Sequence, residues 1–144
     1  MSQATQVSGH VSADLYVEVK NFYARQMRIL DELDVDRFTE TFTEDGSVEH
    51  PHRTEKVSGR TAMRAKMHSM LPQYQGLVTR HWFDHFLIED AGEGVLRVTY
   101  YSLVTQTNTQ DEVKFFSSSS VEDLLVRENG ELKIRARVIL RDKP

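Results

Sequence analysis

The order of apolar and polar positions divides the chain into a helical first half and a β-rich second half. Between Asp14 and Leu33 the side chains Leu15, Val19, Phe22, Ile29, Leu30 and Leu33 recur at helical spacing, which predicts an amphipathic helix. Ser12 and Asp14 supply capping and first-turn chemistry at its start. Gln26 falls inside the stripe and needs a hydrogen-bond partner if it is buried. A second, short helix is expected over Val35–Phe42, with Asp34 as its cap. In FTEDGSVEHP the pair Asp45-Gly46 predicts a turn between the helix end and a short strand, and residues 51–58 read as polar loop. Gly59 opens a third helix over Arg60–Leu71, which Pro72 helps to end. Its methionines, Met63, Met67 and Met70, form an adaptable apolar face, and His68 is placed on its surface.

From residue 78 the period changes to two. Strands are expected over 78–89, 94–107, 113–127 and 131–141, separated by Gly92, Gly94 and an Asn129-Gly130 hairpin turn. Short turns between successive strands make an antiparallel meander, and helices followed by a sheet make an α+β domain rather than a βαβ repeat. One domain over residues 12–144 is expected, after a loosely ordered tail over 1–11.

The strand VTRHWFDHFLI carries the most chemistry. Strict alternation puts His81, Phe83, His85 and Leu87 on one face and Arg80, Trp82, Asp84, Phe86 and Ile88 on the other. Two imidazoles with an aromatic between them suit a pocket wall, because histidine exchanges protons near neutrality. On the next strand Tyr100 and Tyr101 point to opposite faces, leaving open which of them reaches a pocket. Hydroxyls at Thr105, Ser117 and Ser119 cost little in a wet cleft and more in a dry core. Alternation along the last strand groups Lys133, Arg135, Arg137 and Arg141 on a solvated face or rim, from which Arg137 is the candidate to reach a substrate.

Composition narrows the class. At 39% hydrophobic and 28% charged residues the chain reads as a soluble globular protein, for which a cytoplasmic location is expected. A formal net charge of -4 offers no general attraction for nucleic acid. The absence of Cys excludes disulfides and thiolate chemistry. The N-terminus lacks the apolar core of a signal peptide, and no run approaches the roughly 20 apolar residues of a membrane span. The histidines show no conventional ligand spacing, so neither a metal nor another cofactor is expected. Apolar residues on both faces of the strand at 78–88 predict that the second sheet face is covered by another copy of the chain, in a homodimer.

Three stretches carry a resemblance: ILDELDVDRFTETFTEDGSVEHP, LVTRHWFDHFLIE and VEDLLVRENGELKIRARVILRD. Together they resemble the NTF2-like superfamily, specifically its SnoaL-like branch of polyketide cyclases and dehydratases. The resemblance implies a cone in which three N-terminal helices pack on a strongly curved, mostly antiparallel sheet that encloses a pocket. Compared with scytalone dehydratase, it implies that Asp31 orients and charges a catalytic His81. His50 stands where a tyrosine helps to hold a water on the substrate carbonyl, and Ser119 matches a pocket serine. The tyrosine beside the acid is Leu30 here, the second catalytic histidine has no counterpart around Thr105, and the pocket asparagine is Val121. These departures point to related proton transfer on another substrate.

The resulting expectation is a cofactor-independent cyclase, dehydratase or isomerase for a small hydrophobic, carbonyl-containing molecule in natural-product biosynthesis. Asp31 and His81 are the catalytic candidates; His50, His85, Tyr101, Thr105, Ser119 and Arg137 are the substrate-binding candidates. Two alternatives stand beside it: a structural subunit similar to the small subunit of ring-hydroxylating dioxygenases, and a small-molecule-binding protein without turnover. On an ideal helix Asp31 projects away from the stripe through Leu15, Val19, Phe22 and Leu33, so the pairing with His81 requires the helix to loosen near Leu30.

Overall fold

In the computed structural model, which describes residues 11–144, helices α1 (Ala13–Asp31), α2 (Val35–Thr39) and α3 (Arg60–Met70) pack on one curved six-stranded sheet. The strands are β1 (Phe42–His50), β2 (Glu55–Ser58), β3 (Val78–Gly92), β4 (Val95–Thr107), β5 (Val113–Glu128) and β6 (Glu131–Arg141), in the order β2-β1-β6-β5-β4-β3. β3 to β6 form the expected antiparallel meander; β1 joins β6 in parallel and pairs antiparallel with β2. The sheet is therefore mixed, and its edges at β2 and β3 do not close on each other. No helix among the described residues is long and apolar enough to cross a membrane.

Ser12 accepts a hydrogen bond from the Leu15 amide, and Asp34 accepts one from Arg37, so both N-caps are as expected. Residues 1–10 of the expected tail lie outside the described residues, and Val11 packs against the core. Two stretches read as irregular are strands. Asp45-Gly46 is not a turn but the interior of β1, at a shift in its register against β6. A Cβ on Gly46 would lie 3.0 Å from the carbonyl oxygens of Ile134 and Thr43, so the residue is glycine because two backbones pass there. Within the polar stretch 51–58, a single 3₁₀ turn leads into β2.

Three bulges decide which side chains the concave face receives. In β3, Asp84 pairs with Tyr101 and Leu87 with Thr99, so His85 and Phe86 stand opposite Tyr100 alone, one residue in excess, and His85 takes φ 62°. Beyond that point the inward residues are Phe86 and Ile88, not His85 and Leu87. In β6, Leu125 faces Ile134 while Leu124 faces Ala136, and the skipped Arg135 shifts the inward row from Leu132 and Ile134 to Arg137, Ile139 and Arg141. In β5 the extra residue is Phe116, between the pairs Thr105–Phe115 and Val104–Ser117.

Candidate functional site

The helices and the concave face of the sheet enclose a cavity of about 550 Å³. Its apolar wall includes Leu30, Met63, Met67 and Met70 from the helices and Phe83 and Val104 from the sheet. Its polar wall includes His50, Thr79, His81, Ser102, Ser119 and Arg137. This mixture, largely apolar with a few aimed polar groups, is that of a small-molecule site.

Asp31 is the last residue of α1, which stays helical up to it. The buried stripe of α1 runs through Val19, Phe22, Tyr23, Gln26 and Met27, and Asp31 continues the Tyr23–Met27 row one turn further. No loosening at Leu30 is needed. The Asp31 Oδ1 oxygen accepts from His81 Nδ1 at 2.8 Å and from the His81 backbone N–H at 3.2 Å. Two donors on one carboxylate oxygen fix the ring and keep the proton on Nδ1, leaving the Nε2 lone pair free. Among the described residues no protein group occupies Nε2, and His81 lines the cavity.

His50, at the end of β1, also lines the cavity. Its Nδ1 is buried without a hydrogen-bond partner among the described residues, and Glu55 stands 3.7 Å away, beyond hydrogen-bond reach. Burial first, and then the positive charge of Arg53, lower its pKa to about 4, so it is a neutral imidazole at neutral pH. A consequence for stability follows with a definite sign. Below pH 6.5 the unfolded chain takes up a proton on this residue that the folded chain refuses until about pH 4. Stability contributed by neutral His50 is therefore lost as pH falls through that window, by about 2 kcal/mol after allowance for partial exposure. Urea unfolding of wild type and His50→Gln at pH 7 and pH 4.5 should show a smaller loss in the variant; equal losses would contradict the assignment.

The sheet below these residues holds a buried ionic network. Asp123 on β5 accepts from Arg137 Nε at 3.0 Å and Nη2 at 3.0 Å, from the Tyr23 hydroxyl at 2.7 Å and from the Tyr100 hydroxyl at 2.9 Å. Arg137 Nη2 also donates to Gln26 Oε1 at 2.8 Å, and Gln26 Nε2 donates to Thr41 Oγ1 at 2.7 Å. Asp123 is 0% and Arg137 4% exposed. Burial alone would weaken the guanidinium's hold on its proton, but the adjacent carboxylate outweighs it and raises the pKa well above the ordinary arginine value. Burial, then the Asp123 charge, likewise raises the Tyr23 phenol. Both phenols keep their protons and donate them to Asp123.

The expected site residues divide accordingly. Asp31, His81, His50, Ser119 and Arg137 are brought together in or directly behind the cavity wall. His85, Tyr101 and Thr105 are not: the β3 bulge turns His85 outward against the Tyr101 ring, Tyr101 is 60% exposed on the convex face, and Thr105 accepts there from Trp82 Nε1 at 3.0 Å. Tyr100 is the inward tyrosine. Arg137 is not on a solvated rim but buried. The sequence reading missed Tyr23 and Asp123; Gln26, expected to need a partner if buried, finds Arg137 and Thr41. A signal existed for Asp123, an acid in the apolar row Val121, Asp123, Leu125. Among the described residues no group of three His, Asp or Glu side chains is placed to share a metal ion.

The SnoaL-like domain profile matches residues 11–138. The chain is 37% identical to Aln2 from a Streptomyces species, with 92% of this chain and 93% of that one covered and a TM-score of 0.84. It is 34% identical to ActVI-ORFA from Streptomyces coelicolor, with coverages of 90% and 98% and a TM-score of 0.85. A protein from Catenulispora acidiphila, solved in complex with S-DNPA, is 30% identical over 91% of this chain and 96% of that one, with a TM-score of 0.82. No curated protein matches at a significant level.

Proposed function

The chain belongs to the SnoaL-like domain family, and we propose that it works there as a cofactor-independent acid–base enzyme, a cyclase or dehydratase for a carbonyl-bearing polyketide-like or steroid-like molecule. The observation that carries this reading is the 2.8 Å contact between Asp31 and a His81 that lines a 550 Å³ cavity. His81 Nε2 takes a proton from the carbon next to the substrate carbonyl. The C–H electron pair forms the enolate double bond, and the negative charge goes to the carbonyl oxygen. Asp31 stabilises the imidazolium so formed. The enolate then either expels a β-hydroxyl, which leaves as water with the proton returned by His81, or attacks a second carbonyl, whose new alkoxide takes that proton. Neutral His50 donates or accepts one hydrogen bond to the substrate.

The binding of S-DNPA by the Catenulispora relative supports a small organic molecule as the occupant. Incubating the protein with a panel of enolisable polyketide-like and steroid-like ketones, read by mass spectrometry, tests the proposal. Loss of water or an isomeric cyclic product is expected; binding with no product from any member would leave a carrier instead.

The convex face supports the homodimer. Trp82 at 57% exposure, Leu87, Tyr101 and Leu140 lie together on it, although Phe86 and Ile88, once expected there, are in the core. A second copy burying this face is the proposed cover. Sedimentation velocity should give twice the monomer mass, and Trp82→Glu with Tyr101→Glu should give the monomer; a wild-type monomer at tens of micromolar would end the idea.

A further inference from the structure

The buried guanidinium of Arg137 is held by one edge only. Its three hydrogen bonds use Nε and Nη2, toward Asp123 and Gln26. A guanidinium has five N–H donors, so both protons of Nη1 are unspent. Nη1 has no partner among the described residues, and the only unpartnered buried side-chain atoms there are His50 Nδ1 and Thr79 Oγ1. Nη1 therefore touches open volume, and the open volume that Arg137 lines is the cavity. Asp123 divides its charge among four donors, two of them tyrosine hydroxyls, so it does not fully neutralise the cation.

We infer that Arg137 Nη1 receives the reacting carbonyl oxygen of the substrate and holds the negative charge that develops there, opposite His81. This assignment rests on the acid–base reading above and names the substrate as an enolisable ketone or phenol presenting its oxygen to the floor. Proton removal puts a full charge on oxygen, and fixed donors in a dry site stabilise such a charge without reorganising. Arginine suits the task because it cannot surrender its own proton to the enolate.

The reach is adequate. The Arg137 guanidinium carbon lies 5.7 Å from the centre of the Phe83 ring, and Phe83 is the next inward residue after His81 on β3. One inward step along a strand is about 7 Å. A base in contact with the α-carbon and a donor in contact with the oxygen span roughly 8 Å, with hydrogen-bond lengths at both ends. Phe83 then forms the flat wall along which the substrate lies.

The probe is 2-naphthol, whose anion has a distinct absorption band. Bound to wild type it should ionise at least one pH unit below its value in water, a tenfold gain for the anion. Arg137→Lys keeps a cation beside Asp123 but lacks Nη1, and should lose that gain while retaining a cooperative melt. Unshifted ionisation in wild type, failure to bind, or an unchanged shift in folded Arg137→Lys would overturn the assignment. If Arg137→Lys does not fold, wild type carrying ¹⁵N-arginine decides: the buried guanidinium resonances must move as naphthol saturates the cavity, and still resonances refute the contact. Turnover separates the two readings. Ionised naphthol with no turnover of any ketone removes the enzyme and keeps the anion site. Turnover that requires Asp31, with unshifted naphthol, does the reverse.

Discussion

Asp31→Asn is expected to lower kcat by about 10²–10³-fold, and His81→Ala by about 10³–10⁴-fold, with melting curves near wild type. Asparagine keeps the shape and can still accept from His81 Nδ1, so the ring stays placed. What it loses is the negative charge that stabilises the imidazolium, and its amide can rotate to favour the wrong tautomer. His81→Ala removes the base itself. The loss should fall on kcat rather than KM, because the charged pair matters only once the proton has moved. Kinetics on whichever ketone the screen identifies, with circular dichroism to check folding, measures both effects. Activity within a few-fold of wild type in either variant would place the chemistry elsewhere.

Asp123→Leu is expected to prevent stable folding. It leaves the Arg137 guanidinium buried without a counter-charge and the Tyr23 and Tyr100 hydroxyls without an acceptor. The uncompensated charge costs about 3–5 kcal/mol and each orphaned hydroxyl about 1–3 kcal/mol, against a total stability of about 5–15 kcal/mol. The double variant Asp123→Leu with Arg137→Met removes the charge with its partner, and should be more stable than Asp123→Leu alone, because replacing a buried pair with apolar groups costs less than breaking it. Urea unfolding of the three proteins tests this. A double variant that is no better than the single would mean that the pair is a net source of stability.

The contrast between what was legible in the chain and what was not follows the range of the forces involved. Helix starts at Ser12, Asp34 and Gly59 and the Asn129-Gly130 turn are local, and the elements they bound are close to those expected. The bulges are not local. In LKIRARVIL the apolar residues Leu132, Ile134, Ala136, Val138 and Leu140 alternate without interruption, so the row pointing to the core is readable only until the partner strand skips Arg135. That slip put Arg137 in the wrong place, and the β3 slip did the same for His85. The α1 error was of another kind. Counting only aliphatic and phenyl side chains set the stripe too far round the helix; Tyr23 and Gln26 are fully buried because polar partners on the sheet meet them. Asp31 was then misjudged as facing away, although the resemblance had it beside His81.

The network under the cavity also has a consequence in time. Its links from α1 to the sheet span 100 residues between Tyr23 and Asp123 and 111 between Gln26 and Arg137. The hairpins of β3 to β6 close over short loops and can form early, whereas α1 gains Asp123 only once β5 is in place and Arg137 only once β6 is. Helix docking therefore belongs to the late side of the folding barrier, and weakening the network should quicken unfolding far more than it slows folding. Because Asp31 travels with α1 and His81 with the sheet, a transient undocking of that one helix separates the acid from the imidazole while the hairpins persist. Amide hydrogens of α1 would then exchange before those of β4 and β5, at a free energy below that of global unfolding.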